Sequence, residues 1–335
     1  FLCAIPGCAP CQPGYQKASS PKRLFSFSAL FLAFTFLTGM LNCILKLREK
    51  TMEQALPELL TRYDTFILDS SLTLISPSGG FYPGVETTLS RLIEQHKQVI
   101  VFINHPLPPE ACFKESFWQP WIERGVRFFT SGGICLKLLA EQGYFSYFLF
   151  GGRLLPGMIF APEITMAECV YLDLPALPLA FLPAENLIRT PEFPQLGFAP
   201  DITPFAPLLR EAAAQNKVLY CVRPALSETM FVGQRKVISN KAIVDYYRSQ
   251  GGTAVEVGKP APVAYEYILR SLPHTGKILC VGAVPEIDVL GAENLKNSGW
   301  EVSSLLVGTS EKNAAELSGL SLRPDYTTAG FGLIS

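Results

Sequence analysis

The residues best placed for chemistry stand at the ends of apolar runs. Thr65-Phe66-Ile67-Leu68 leads into Asp69, and Gln98-Val99-Ile100-Val101-Phe102-Ile103 leads into Asn104 and His105. Such runs read as buried parallel strands with a polar group held at the carboxyl end, the edge where open α/β sheets collect their ligand sites. By itself Asp69 reads as readily as a strand ending in a helix cap. Two later stretches, in the same order along the chain, change the odds. Gly258-Lys259-Pro260 sets one lysine before a helix-forming segment, and the run Lys277 to Val281 is followed by Gly282, Ala283, Asp288 and Gly291-Ala292.

With these residues in this order the chain resembles the haloacid dehalogenase (HAD) superfamily of phosphohydrolases, over about Leu56 to Asp325. It is most similar to the subgroup with a large α/β cap inserted between the second and third motifs, as in nucleotide and p-nitrophenyl phosphatases. The specific part of the match is Gly258-Lys259-Pro260 with Val281-Gly282, Asp288 and Gly291-Ala292. The resemblance implies that Asp69 attacks phosphorus to form an aspartyl phosphate. It implies that Asn104 belongs to the second motif, and that Lys259 neutralises the nucleophile and the phosphate oxygens. It also implies magnesium held by Asp69, the carbonyl of Ser71 and Asp288.

The chain departs from the family pattern at five places. Ser71 stands where an acid–base Asp is usual, and a hydroxyl cannot titrate near neutral pH. Leu72 replaces the glycine that follows. Ile103 replaces the Ser or Thr that binds the transferring phosphoryl group, and Ala283 replaces a metal-binding Asp. In the cap, Arg223-Pro224-Ala225 replaces Asn-Pro-Asp. Arg223 reads either as a partner for an anionic substrate or as an exposed loop charge. His105, one of three histidines, reads as a phosphate donor or proton carrier, or as a loop histidine with no role. Asp288 has a plainer reading as a cap for the helix through Gly291. With one direct carboxylate lost at Ala283, only weak magnesium binding is expected.

The elements that must position these groups follow from hydrophobic periodicity. Strands are expected at 65–68, 99–103, 126–130, 168–174, 217–222, 254–257, 278–281 and 302–307. Helices are expected at 85–96, 109–123 with an interruption at Pro120, 131–139, 203–215, 240–249, 262–272 and 291–298. This alternation predicts an α/β fold, a Rossmann-like parallel-sheet core with an inserted α/β cap. The expected boundaries are residues 52–140 and 250–335 for the core, with 254–257 returning to the core sheet, and 140–245 for a separate cap. Ten prolines between Pro156 and Pro207 exclude long helices there.

At 335 residues the chain is long enough for two domains, and 48% apolar residues permit a sizeable core. The net charge of −1 gives no basic excess that argues for nucleic acid. Residues 1–51 differ from the rest. Leu24 to Leu45 is 22 residues without a charge, flanked by Lys22 and Arg23 on one side and Lys46, Arg48 and Lys50 on the other. Its length suits a membrane span, and a signal peptide is the second option. The third reading is upstream sequence, with the protein starting at Met52. Of nine cysteines, Cys3, Cys8, Cys11 and Cys43 lie in this front segment, where the first three lack a fourth zinc ligand nearby. The other five read as reduced core residues of a cytoplasmic protein.

Three functions are therefore set against one another. The leading one is a HAD-like protein of weak or absent phosphatase activity that binds a phosphorylated small molecule or a partner. The second is an active magnesium-dependent phosphatase of small phosphate esters, with His105 or an acid from the cap as substitute proton carrier. The third is a membrane-tethered interaction protein that uses residues 24–45.

Overall fold

In a computed structural model, which describes residues 56–112, 117–178, 187–308 and 322–332, two parallel sheets share one interior. The front segment, with Leu24 to Leu45, lies outside the described residues. Among those described, no helix is long and apolar enough to cross a membrane. Met52 to Ser335 forms one unit.

A leading helix, α1, spans residues 56–62. The first sheet then takes β1 (Thr65–Leu68), β2 (Gln98–Ile103) and β3 (Arg127–Thr130). Between them come α2 (Val85–Glu94), α3 (Pro109–Cys112) and α4 (Gln119–Glu123). After β3 and α5 (Ser131–Glu141) the chain leaves for the second sheet, with β4 (Ser146–Phe150), β5 (Ile159–Phe160) and β6 (Cys169–Leu172). A small antiparallel sheet follows, from β7 (Ala176–Pro178), β8 (Ile188–Thr190) and β9 (Phe193–Phe198). Helix α6 (Ala206–Ala214), β10 (Val218–Cys221), the hairpin β11 (Thr229–Val232) and β12 (Arg235–Ile238), α7 (Asn240–Ser249) and β13 (Thr253–Glu256) come next. The chain then returns through α8 (Pro262–Arg270), β14 (Ile278–Gly282), α9 (Leu290–Asn297), β15 (Val302–Val307) and β16 (Tyr326–Thr328).

The first sheet has the order β16-β15-β14-β1-β2-β3, and its described pairings are parallel. β1 sits inside it, buried on both faces, which is why Thr65 to Leu68 reads as an unbroken apolar run. The second sheet has the order β13-β10-β6-β4-β5 and is also parallel. The chain is thus α/β, with a parallel-sheet core and an inserted cap.

One expected assignment is corrected. Residues 254–257 do not return to the first sheet, because β13 pairs with β10 in the second (Val218 with Thr253, Cys221 with Glu256). Thr253-Ala254-Val255-Glu256 is only half-buried, as suits an edge strand, unlike the fully buried β14. Lys259 therefore reaches the site from the cap side.

The cap and the core share an apolar cluster. α5 and α8 lie between the two sheets and bury side chains against both. Ile134, Cys135, Tyr265 and Ile268 join Ile100, Phe102 and Cys280 of the first sheet to Tyr147, Tyr171 and Tyr220 of the second in one apolar cluster. Polar struts add to it: Tyr171 Oη donates to Pro106 O at 2.6 Å. The other face of each sheet has its own cluster, around Phe66, Leu68 and Val101 in the first and Phe148, Val170 and Tyr247 in the second.

Candidate active site

Asp69 follows β1 and extends its ladder, donating its backbone N–H to Val281 O at 2.8 Å. The chain then turns tightly, with Ser70 O accepting from the N–H groups of Leu74 and Ile75, each at 3.0 Å. At Leu72 the turn needs a left-handed backbone, with φ of +60°. The loop thus keeps a glycine-type conformation although the residue is leucine, and half of its side chain is in solvent. Left-handed geometry costs an L-residue about 1–2 kcal/mol, and glycine's extra unfolded-state freedom cancels part of the gain. Leu72→Gly is therefore expected to stabilise the chain by about 0.5–1 kcal/mol. A urea midpoint that rises with unchanged slope checks this.

Lys259 is the centre of the site. It is 3% exposed, and its Nζ stands 2.5 Å from Asp69 Oδ1 and 2.9 Å from Asp288 Oδ1. Asn104 fixes the lysine from behind: its Oδ1 accepts from Lys259 N at 2.7 Å, and its Nδ2 donates to Lys259 O at 2.8 Å. The lysine's ammonium also lies 5.8 Å from the ring centroid of Phe102, within cation–π range. Asp288 sits in a π-helical turn, Pro285–Val289, ahead of α9, and its Oδ2 accepts from Val284 N at 3.1 Å. The glycine before it is required, because a methyl on Gly282 would fall 2.0 Å from the Asp288 carboxyl carbon. Asp69, Asn104, Lys259 and Asp288 therefore converge.

Electrostatically this is two carboxylates sharing one ammonium. Burial pushes the Asp69 carboxyl up, against the pull of Lys259, and the neighbouring Asp288 adds to the rise. Burial draws Lys259 down, but Asp288 and Asp69 outweigh it, so the lysine stays protonated. Behind the triad, Ile67, Phe102, Tyr265 and Cys280 leave a cavity of only about 10 Å³. That is room for about one water at most. The larger clefts, about 1050 Å³ beside β3 and 690 Å³ between Leu72 and Phe331, do not contain these residues.

Ser71 is exposed, Ile103 ends β2 half-buried, and Ala283 follows β14.

His105 is held in place by α5: its carbonyl accepts from Gly132 N at 2.9 Å and from Ser131 Oγ at 3.2 Å. Its ring is engaged on both sides, with Cys112 Sγ 2.8 Å and Leu107 N 3.2 Å from Nδ1, and Arg153 Nη1 3.1 Å from Nε2. Burial, then the charges of Arg153 and Arg223, lower its pKa. The folded state thus binds this proton less readily than the unfolded chain. The contribution of His105 is present above the ordinary histidine pKa and is lost as pH falls through the lowered folded value. NMR titration is expected to place the imidazole below 6.5.

Arg223 lies in the cap loop after β10. A methyl on Gly258 would meet Pro224 Cδ at 2.6 Å and Val222 O and Asn104 Oδ1 at 2.8 Å, so this loop lies against the core site. Arg223 Nη1 stands 3.6 Å from Oδ1 of the buried Asp173.

No protein-family model and no curated protein sequence matches the chain. Solved structures do. The 4-nitrophenylphosphatase of Thermotoga maritima is similar at 20% identity with a TM-score of 0.55, over 82% of this chain and 96% of that one. The p-nitrophenyl phosphatase of Archaeoglobus fulgidus is similar at 16% identity and 0.55, over 81% and 97%. NagD from E. coli K-12 is similar at 15% identity and 0.53, over 82% and 98%. The chain has the haloacid dehalogenase-like fold. Within that HAD-like frame, Arg153, Asp173 and Cys112 form the surroundings of His105 and Arg223, and none was marked by the sequence. Arg153 follows Gly151-Gly152, beyond the end of β4. Asp173 sits inside the apolar stretch Val170 to Leu177.

Proposed function

We propose that this chain binds a phosphorylated small molecule in a HAD-type site and hydrolyses it slowly or not at all. The observation that carries this reading is the buried Asp69–Lys259–Asp288 triad in a site where positions 71, 103 and 283 are Ser, Ile and Ala. Asp69 keeps a carboxylate for attack on phosphorus, and Lys259 has donors for phosphate oxygens. When Asp69 forms its bond to phosphorus and the ester bond breaks, the leaving oxygen needs a proton. Ser71 does not titrate in the working range, and both oxygens of Asp288 are already bonded. Water attack on the aspartyl phosphate then lacks a base. Each missing group typically costs ~10²–10³ in rate, though such losses do not add simply.

Magnesium, which the resemblance implies, would be held by Asp69, the carbonyl of Ser71 and Asp288, and both carboxylates already share Lys259, so weak binding is expected. Among the described residues no group of three or more His, Cys, Asp and Glu side chains is placed to hold a metal. At the site, each Asp288 oxygen accepts one hydrogen bond and Asp69 Oδ1 accepts one from Lys259, so a metal would compete with the lysine for these carboxylates. No step above passes through a metal.

The test is turnover of p-nitrophenyl phosphate with and without magnesium, beside calorimetric binding of the same ester. Binding with turnover far below one per second is expected. Ordinary enzymatic rates, roughly 1–10³ per second, that vanish on Asp69→Asn would show the site to be intact.

A further inference from the structure

Resting on that reading, we infer that Arg153 and Arg223 read a second anionic group, a carboxylate or a further phosphate, on the part of the ligand that carries the phosphate ester. Both are cap residues and both border the core site. Arg153 Nη1 lies 3.1 Å from His105 Nε2, and His105 is the residue after Asn104, which grips Lys259. Arg223 lies between Val222 and Pro224, and these two residues and Asn104 all crowd Gly258, next to Lys259. Both guanidinium groups act on the His105 ring, one by contact and both by charge, and His105 adjoins Asn104 in the chain.

Charge balance sets the ligand class. Arg153 makes no ion pair among the described residues, and Arg223 has only Asp173, at 3.6 Å. That distance is too long for a bidentate Arg–carboxylate pair. Asp173 is 1% exposed, neither of its oxygens accepts a hydrogen bond, and burial favours its protonated form. One buried carboxylate therefore faces two exposed guanidinium groups, with a polarised but uncharged imidazole between core and cap. Guanidinium forks match planar carboxylate and phosphate oxygens, whereas an uncharged leaving group leaves both without a partner. Asp173 acts as a positioning residue: it sits behind Arg223 and limits where the guanidinium can swing.

The experiment compares near-isosteric ligands by calorimetry. 4-Carboxyphenyl phosphate and 4-nitrophenyl phosphate share shape and differ in charge, and 3-carboxypropyl phosphate is paired with its carboxamide for flexible reach. At least one carboxylate is expected to bind about tenfold or more tighter than its neutral counterpart. In Arg153→Gln/Arg223→Gln that ratio falls to about one. Both side chains are exposed, so the variant is expected to fold, and a thermal melt verifies this. Equal binding of charged and neutral ligands by the native chain, or a preference that survives in the double variant, overturns this inference and leaves phosphate binding standing. Failure of all four esters to bind overturns both readings.

Discussion

Lys259→Met loses about 3–5 kcal/mol of unfolding free energy near pH 7. Removing one partner of a buried ion pair leaves the others uncompensated, and here two carboxylates, 14% and 6% exposed, lose the cation they share. The loss shrinks in acid, because each carboxylate escapes the penalty by taking up a proton. Asp69→Asn is the control and moves the other way. Asp69 has its folded pKa raised, so between the ordinary carboxylate range and the raised value the folded state holds more protons than the unfolded one. The stability of the native chain then falls as pH rises through that window. Asn removes this slope, keeps the Lys259–Asp288 pair, and leaves the protein at least as stable at pH 7. Urea unfolding of the three proteins at pH 5 and pH 8 checks both signs. A Lys259→Met loss below about 1 kcal/mol, unchanged with pH, would contradict the buried triad.

Ser71→Asp, Ile103→Thr and Ala283→Asp together raise turnover of p-nitrophenyl phosphate by ~10² or more. The first supplies a proton carrier, the second a hydroxyl for phosphate oxygens, the third a metal-binding carboxylate. The backbone is ready for them: Leu72 holds the left-handed turn after position 71, and Ala283 directly follows the strand beside β1. The single changes are expected to give far less than the triple, since groups that act as a unit are non-additive. Steady-state rates with magnesium present, together with magnesium affinity by calorimetry, measure the effect. A triple variant that folds, binds magnesium and still gains nothing would place the defect elsewhere in the scaffold.

The strands of the first sheet were legible because each interior one is buried on both faces and reads as an apolar run. β13 was misplaced because strand character says nothing about which sheet a strand joins, and an edge strand of the cap has the same length as a core strand. Asp69, Asn104, Lys259 and Asp288 were legible from position, since each stands just past a strand or glycine turn. Arg153 and Asp173 were not. One is a lone arginine after two glycines and the other an acid in an apolar stretch, and only the packing of two sheets brings them beside His105 and Arg223. At Leu72 the resemblance pointed to a glycine position, while the leucine itself gives no hint of the positive φ that is found there.

α5 and α8 are held in common by the two sheets, and this decides how the protein opens. A hinge that lifted the cap would pull Tyr147, Tyr171 and Tyr220 off α5 and α8 and expose one continuous apolar surface to water. A ligand of the proposed kind would then have to reach the site past the surface loops, with the sheets fixed. Amides in the interior strands of both sheets should then exchange with solvent only through global unfolding, and calorimetry should record one melting event for residues 52–335.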